Sequence, residues 1–591
     1  MTRQSAARLS PARTLAALER IHTQFGPGVE PRKLALLGRM LRARLATARA
    51  VLRYHEVLCF LTAYPDSPRI DAQARVNLAA FESRADVRHH GETLASSGIA
   101  GTPTDYRFFW PMARWLASRW PEQLKIDWDE FERADQLEAL LGLLALPAEM
   151  PGLDEFSYPV RHWLTRMKGA GESDAAFLVR RFGELPMADR TREAIYDGLD
   201  VPMRLAPGTD TPSRTRARTE RVFDAVTDAA RPRRAAHRRT WRDPIHYTTA
   251  PLDRRRPDLA AEIARPPAAI RLLSPRAGQE LVELARVSMV TRQRDLDAFA
   301  YADARDVRLI DAGEGIQFAC MGVVPERRLM FESVYGFVTL KNGVPVGYVL
   351  TSALFGSSEI AYNVFDTYRG GEAARIYGRV IAATAHLFGS DTFTIYPYQL
   401  GDDNDEALQS GAWWFYWKLG FRPRDPNVLR LARGEVTRMK RNARHRSSIE
   451  TLRKLARVNV YWSAGPGRDD VIGRLPLANT GYAVTRALAR RFGARRELAA
   501  QTCEREAMVL LGVRTFAGWS AAQRAWWRSW APLVTVLPGV SRWSPAARRA
   551  LVEVIRAKGG PREDEFVRRF DAHRLLRTAI RRLAERTAPG A

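Results

Sequence analysis

Three textures follow one another in the pattern of apolar and polar positions. From Pro11 to about Met203 the apolar residues recur with helical spacing. Leu34, Leu37, Leu41 and Leu45 fall at intervals of three, four and four, one face of a 3.6-residue period. Pro65, Pro68, Pro103, Pro121, Pro147 and Pro151 cut this stretch into helices of moderate length. After Ala269 strand and helix signals alternate. Ala269–Leu273 reads as a strand and Gly278–Met289 as a helix. Ser333–Lys341 and Val344–Ser352 flank Asn342-Gly343, a dipeptide that tolerates the positive φ of a type I′ turn and so marks a hairpin. A strand at Glu359–Phe365 leads through a glycine-containing turn into a helix at Glu372–Phe388. A strand at Thr392–Tyr398 and a helix at Glu406–Leu419 follow, and from Leu429 onward the texture is helical again. The expected organisation is a helical domain (1–206), a basic linker or arm (207–268), an α/β domain with a mixed sheet (269–428) and a second helical domain (429–591).

Composition narrows the class. A chain of 591 residues exceeds what one core organises, since single cores stop growing at roughly 250–300 residues. The longest apolar stretch, Leu137–Met150, is interrupted by Glu138, Pro147 and Glu149, well short of the roughly 20 apolar residues that span a bilayer, so no membrane span is expected. Cys59, Cys320 and Cys503 stand singly, which excludes a disulfide scaffold or a Cys-based zinc site and suits a reducing cytoplasm. The ten histidines are scattered, with no metal-ligand spacing and no Ser-His-Asp arrangement, so no metal is expected. Met1–Arg20 has no apolar run that could serve as a secretory signal.

The net charge of +26 invites a nucleic-acid reading. However, 84 of the 92 basic residues are arginine, a ratio that GC-rich codon usage also produces. The charge is also uneven: residues 269–428 hold 16 basic and 19 acidic residues, so the flanks carry the whole excess. The densest run lies in Pro207–Pro257 and includes Arg231, Arg233, Arg234, Arg238, Arg239 and Arg242, then Arg254–Arg256. This arm is the best sequence candidate for a nucleic-acid or acidic partner, with solvated helix faces as the plainer alternative. The tryptophans around Trp110–Trp128 read as core.

Two patches carry chemistry. In Asn363-Val-Phe-Asp-Thr-Tyr-Arg369-Gly370-Gly371-Glu372-Ala373-Ala374 a strand delivers a glycine-containing turn to a helix N-terminus. There unpaired N–H groups and the helix dipole favour an anion, and Arg369 adds a charge. In Gln409-Ser-Gly-Ala412-Trp-Trp-Phe-Tyr416-Trp-Lys-Leu-Gly420-Phe421 a helix ends at a glycine cap before a strand, and its Tyr416 lies in the last turn. Between them, Asp402, Asp403, Asn404, Asp405 and Glu406 form an acidic strand end, suited either to a cationic amine or to capping a helix.

Together, residues 269–428 resemble the GNAT superfamily of N-acyltransferases. The resemblance implies a mixed six- or seven-stranded sheet that splays between its fourth and fifth strands, with acetyl-CoA or a longer acyl-CoA in the splay. It implies that the fourth strand, here Tyr362–Phe365 with Asn363 and Phe365 as the cofactor-binding candidates, offers backbone N–H groups to pantetheine. It further implies that Arg369, Gly370, Gly371, Ala373 and Ala374 bind the pyrophosphate, and that Tyr416 protonates the departing thiolate. Glu372 stands where the family has glycine. Transfer to an amine also needs a base. Glu359 and Glu332, on or beside the strands flanking the cleft, are the candidates, and Asp402, Asp403, Asn404 and Glu406 are the candidates for holding the acceptor. A non-enzymatic protein on a degenerate form of this fold is the rival reading.

Overall fold

The computed structural model describes residues 10–155, 158–216 and 245–586, so the arginine run 231–242 lies outside the described residues. The chain forms two compact units. One comprises Met1–Leu252, Glu280–Tyr301 and Lys341–Pro345, and the other Asp253–Gln279, Ala302–Leu340 and Val346–Ala591.

The first unit begins with helices Pro11–Ile21, Glu30–Arg42, Ala48–Ala63 and Pro68–Ala79. Ser10, Thr47 and Ser67 cap three of them by accepting from backbone N–H groups in the first turn. The buried face of Glu30–Arg42 is Lys33, Leu36, Leu37 and Met40. Of the predicted leucine stripe, Leu37 and Leu45 are buried and Leu34 and Leu41 half-buried, and Lys33 also lies inward, in an ion pair with Asp66 at 2.7 Å. Three short strands that helical texture concealed, β1 (Thr104–Tyr106), β2 (Leu124–Ile126) and β3 (Met203–Leu205), form an antiparallel sheet in the order β1-β3-β2. Trp110 and Trp115 are buried in the core beside it, as the sequence suggested, and Trp120 and Trp128 are partly buried against it.

The second unit is mixed α/β. Its sheet is built from β4 (Ala269–Leu272), β5 (Ala302–Gly313), β6 (Ile316–Val323), β7 (Ser333–Lys341), β8 (Val344–Leu354), β9 (Ser357–Val364), β10 (Thr392–Ile395), β11 (Arg422–Pro423) and β12 (Val460–Ser463). The last residue of β7 and the first two of β8 belong to the first unit. The nine strands lie in the order β11-β12-β10-β9-β8-β7-β6-β5-β4. The sheet is larger than the six or seven strands expected, and β12 corrects the reading of everything beyond Leu429 as helical. Asn342 and Gly343 both take positive φ, 51° and 76°, at the turn between β7 and β8. The predicted strand at Thr392–Tyr398 ends at Ile395, and Pro397–Leu400 is a helical turn. The predicted helix at Glu406–Leu419 is two, Asp405–Ser410 and Ala412–Lys418, broken at Gly411. Helix Ala373–Phe388 packs on one sheet face against Ile360, Phe393 and Ile395.

The C-terminal helices, from Ala478–Phe492 to Arg574–Arg586, enclose a second core around Trp527, Trp530 and Leu551. A buried polar network ties part of them to the sheet. Asp306, fully buried, accepts from Arg308 at 2.5 Å, from the Tyr335 hydroxyl at 2.8 Å and from the Glu563 N–H at 2.9 Å, while Arg308 also reaches Asp564. Asp306→Ala leaves three buried donors short of a partner. It is expected to cost about 3–5 kcal/mol, read as a shifted denaturant midpoint in equilibrium unfolding.

Candidate active site

Strands β9 and β10 run parallel, and their register covers Ser357 to Glu359 opposite Thr392 to Thr394. Strand β10 ends at Ile395, whereas β9 continues to Val364, still paired along its other edge with β8, so beyond Glu359 the β10 side of β9 has no strand pairing among the described residues. Glu359 is thus the last paired residue at a fork. Across the sheet it stands in one row with Ser352 on β8, Thr394 on β10 and Tyr461 on β12. Residues opposite one another share a face, and segment 472–473 covers this one. Ser357 accepts from the Ile472 N–H, Thr394 donates to the Ile472 carbonyl, and the Tyr461 hydroxyl donates to the Gly473 carbonyl.

Burial raises the Glu359 carboxyl to about 7, and the neighbouring charge of Glu332 pushes in the same direction. Burial also raises Glu332, opposed by Lys558. Lys558 is wholly buried, donates to the Glu332 carbonyl at 3.0 Å and pairs with Glu563. The two carboxylates singled out as candidate bases therefore interact, and Glu359 holds the fork.

Main-chain direction corrects the pantetheine residues. The Phe365 N–H donates to the Val346 carbonyl, on the β8 side, and alternation aims the Asn363 main chain the same way. Neither faces the side that β10 leaves. Tyr362 and Val364 do, one residue out of phase with the expected pair.

After β9 the chain makes a single turn of 3₁₀ helix, Asp366–Tyr368, and enters helix Ala373–Phe388. The first-turn N–H groups at Ala373 and Ala374 have no intrahelical carbonyl to donate to. The two glycines serve the turn instead: the Gly371 N–H donates to the Tyr368 carbonyl, and the Gly370 carbonyl accepts from Arg254. Arg369 is half exposed and paired with Asp366 at 2.8 Å and with Glu406. Two carboxylates thus hold the guanidinium expected at a pyrophosphate. Glu372 is 3% exposed and bridged to Arg375 at 2.6 Å. Arg375 also pairs with Glu314, so the Glu372 charge is compensated.

Tyr416 is buried in an aromatic nest. Its ring lies 5.8 Å from that of Tyr377, which lies 5.3 Å from Tyr362 on the open stretch of β9. Burial pushes the Tyr416 phenol up. The Tyr362 hydroxyl donates to the Ala373 carbonyl at 3.0 Å, whereas the fully buried Tyr377 hydroxyl has no hydrogen-bond partner among the described residues. Tyr377 was not singled out from sequence, and its position five residues into the helix that follows the glycine turn is the signal that could have marked it. Strand alternation puts Tyr362 and Ile360 on the face opposite Glu359. Tyr416, packed with them, and Glu359 therefore belong to opposite faces of the sheet.

The acidic strand end is less free than its charge suggests. Asn404 caps helix Asp405–Ser410 by accepting from the Ala407 N–H at 3.1 Å, and Glu406 is engaged by Arg369. Asp402 and Asp403 line a cavity of about 520 Å³, but so do Arg453 and Arg457. An ammonium would meet two guanidinium groups there, which weakens the acceptor assignment for Asp402 and Asp403.

Compared with protein-family models, curated proteins and solved structures, the chain matches none.

Proposed function

We propose that the protein is an acyl-CoA-dependent N-acyltransferase of the GNAT type. The observation that carries the reading is that β9 outruns β10 beyond Glu359, which leaves one edge of Tyr362–Val364 without a strand partner among the described residues. An extended amide-bearing chain such as pantetheine satisfies such an edge as an added strand does. The Tyr377 hydroxyl, unpartnered among the described residues, and the first-turn N–H groups at Ala373 and Ala374 favour an acceptor-rich ligand.

In this reading the thioester lies in the gap, between a carboxylate on one face and a phenol on the other. Glu359 takes the proton that makes the acceptor an ammonium, and the freed amine attacks the thioester carbonyl. The C–S bond breaks, the thiolate leaves with a proton from Tyr416, and the second proton shed by the nitrogen restores the phenol. A carboxyl raised to about 7 is matched to proton removal near neutrality. The engagement of Arg369 by Asp366 and Glu406 is what favours the rival, a binding protein on the same framework.

Isothermal titration with acetyl-CoA and with longer acyl-CoAs separates the two. The expected result is one site per chain with a dissociation constant of about 1–100 μM, in the ordinary range for a substrate, together with amide formation on a primary amine. Absence of heat with every acyl-CoA overturns the reading, and binding without turnover favours the rival.

A further inference from the structure

The strongest charge feature of the second unit lies outside the site just described. Residues 418–446 hold ten basic and only two acidic residues. Both acids are occupied locally. Asp425 caps helix Pro426–Arg441 by accepting from the N–H groups of Asn427 and Val428. Glu435 is buried and takes Arg438, His445 and Ser447. Six of the cations, Arg422, Arg430, Arg433, Lys440, Arg441 and Arg444, are exposed and have no carboxylate partner among the described residues.

The helix sorts its residues by face. Val428, Leu431, Ala432, Val436 and Met439 pack inward, and helical periodicity places Arg430, Arg433, Lys440 and Arg441 together on the opposite half of the circumference. The helix dipole accounts for cations in the last turn but not for Arg430 or Arg433, two turns or more from the C-terminus. Arg422, on β11, is close enough to Arg433 for its guanidinium to be held below its ordinary value by burial and by that neighbouring charge. Crowded like charges without counter-charges raise the energy of the free protein, and a polyanion relieves it.

We infer that this face binds the phosphate backbone of single-stranded RNA. Sixteen helical residues present cations over ~24 Å, the reach of several phosphates. The Arg422 guanidinium lies over the Trp417 ring, 3.8 Å from its centroid, a cation–π pair of the kind that also receives unpaired bases. The apolar side of the helix is already packed on the core, so the face has no hydrophobic wedge to insert into a lipid surface. This inference is independent of acyl transfer.

The test is fluorescence anisotropy of a labelled 20-nucleotide RNA with the full chain across a salt series. Beside it stands the variant Arg433→Ala/Lys440→Ala/Arg441→Ala/Arg444→Ala. A control removes four exposed arginines elsewhere, Arg39, Arg42, Arg44 and Arg49. Because the substituted side chains are exposed, both variants should melt as the parent does. The expected result is at least a tenfold loss of affinity confined to the first variant, with its log–log salt slope reduced by about 3. Equal losses in the two variants overturn the assignment to this face. So does tighter binding to duplex DNA, or to vesicles containing phosphatidylserine, than to the RNA.

Discussion

Glu359→Gln is expected to lower acyl transfer by about 10²–10⁴-fold, the usual worth of a positioned base. In the parent, kcat/KM should rise with pH through a midpoint near 7, because burial holds the carboxyl at about 7 and only the carboxylate accepts a proton. In the variant that limb should vanish. Stability should move the other way. Folding raises this group from 4.5 to about 7, so between those values the folded protein keeps a proton that the unfolded chain releases. Stability contributed by the protonated carboxyl is lost as pH rises through that window. The substituted amide has nothing to ionise, so the variant should melt higher than the parent at pH 8 and match it near pH 4. A pH–rate limb that persists near 7 in the variant moves the base elsewhere, with Glu332 the first alternative.

Tyr416→Phe should leave acyl-CoA affinity almost unchanged while turnover falls by about 10²–10⁴-fold. The substitution removes one oxygen and keeps the ring in its nest with Tyr377, Phe415 and Phe421. The Tyr416 hydroxyl makes no hydrogen bond among the described residues, so stability should change by less than about 1 kcal/mol. Activity retained with a loss of about 1–3 kcal/mol marks a structural tyrosine. The Tyr377→Phe variant is the natural companion, since its hydroxyl is the orphan beside the proposed donor.

What was legible in the sequence is what local chemistry decides. Asn342-Gly343 announced its turn because few other pairs accept two positive φ values in succession, and the strands on either side follow. Strands β5 and β6 meet at Gly313-Glu-Gly315, three consecutive residues of positive φ, and that turn could have been read the same way. Strand β12 could not. Val460–Ser463 is four residues among helices, held by pairing with β10 and β11, whose sequence positions are tens of residues away. The candidate site shows the same division. Glu359 was visible as a carboxylate on a strand, but its place at the fork depends on where pairing with β10 stops. Asn363 and Phe365 were one residue out of phase, because composition does not disclose which main-chain edge of a strand faces a given neighbour.

The interleaving of the two units bears on how the chain is made. The first unit takes in Lys341–Pro345, so it is not whole until more than half of the protein has been synthesised. At about 5–20 residues per second that is a delay of roughly 20–70 s. In the second unit β11 leaves the ribosome before its only neighbour, β12, and stays an unpaired edge until residue 463 follows. Fragments cut at the boundaries that texture suggests, near 206, 268 or 428, each separate segments that belong to one core. Such truncations are therefore poor expression units.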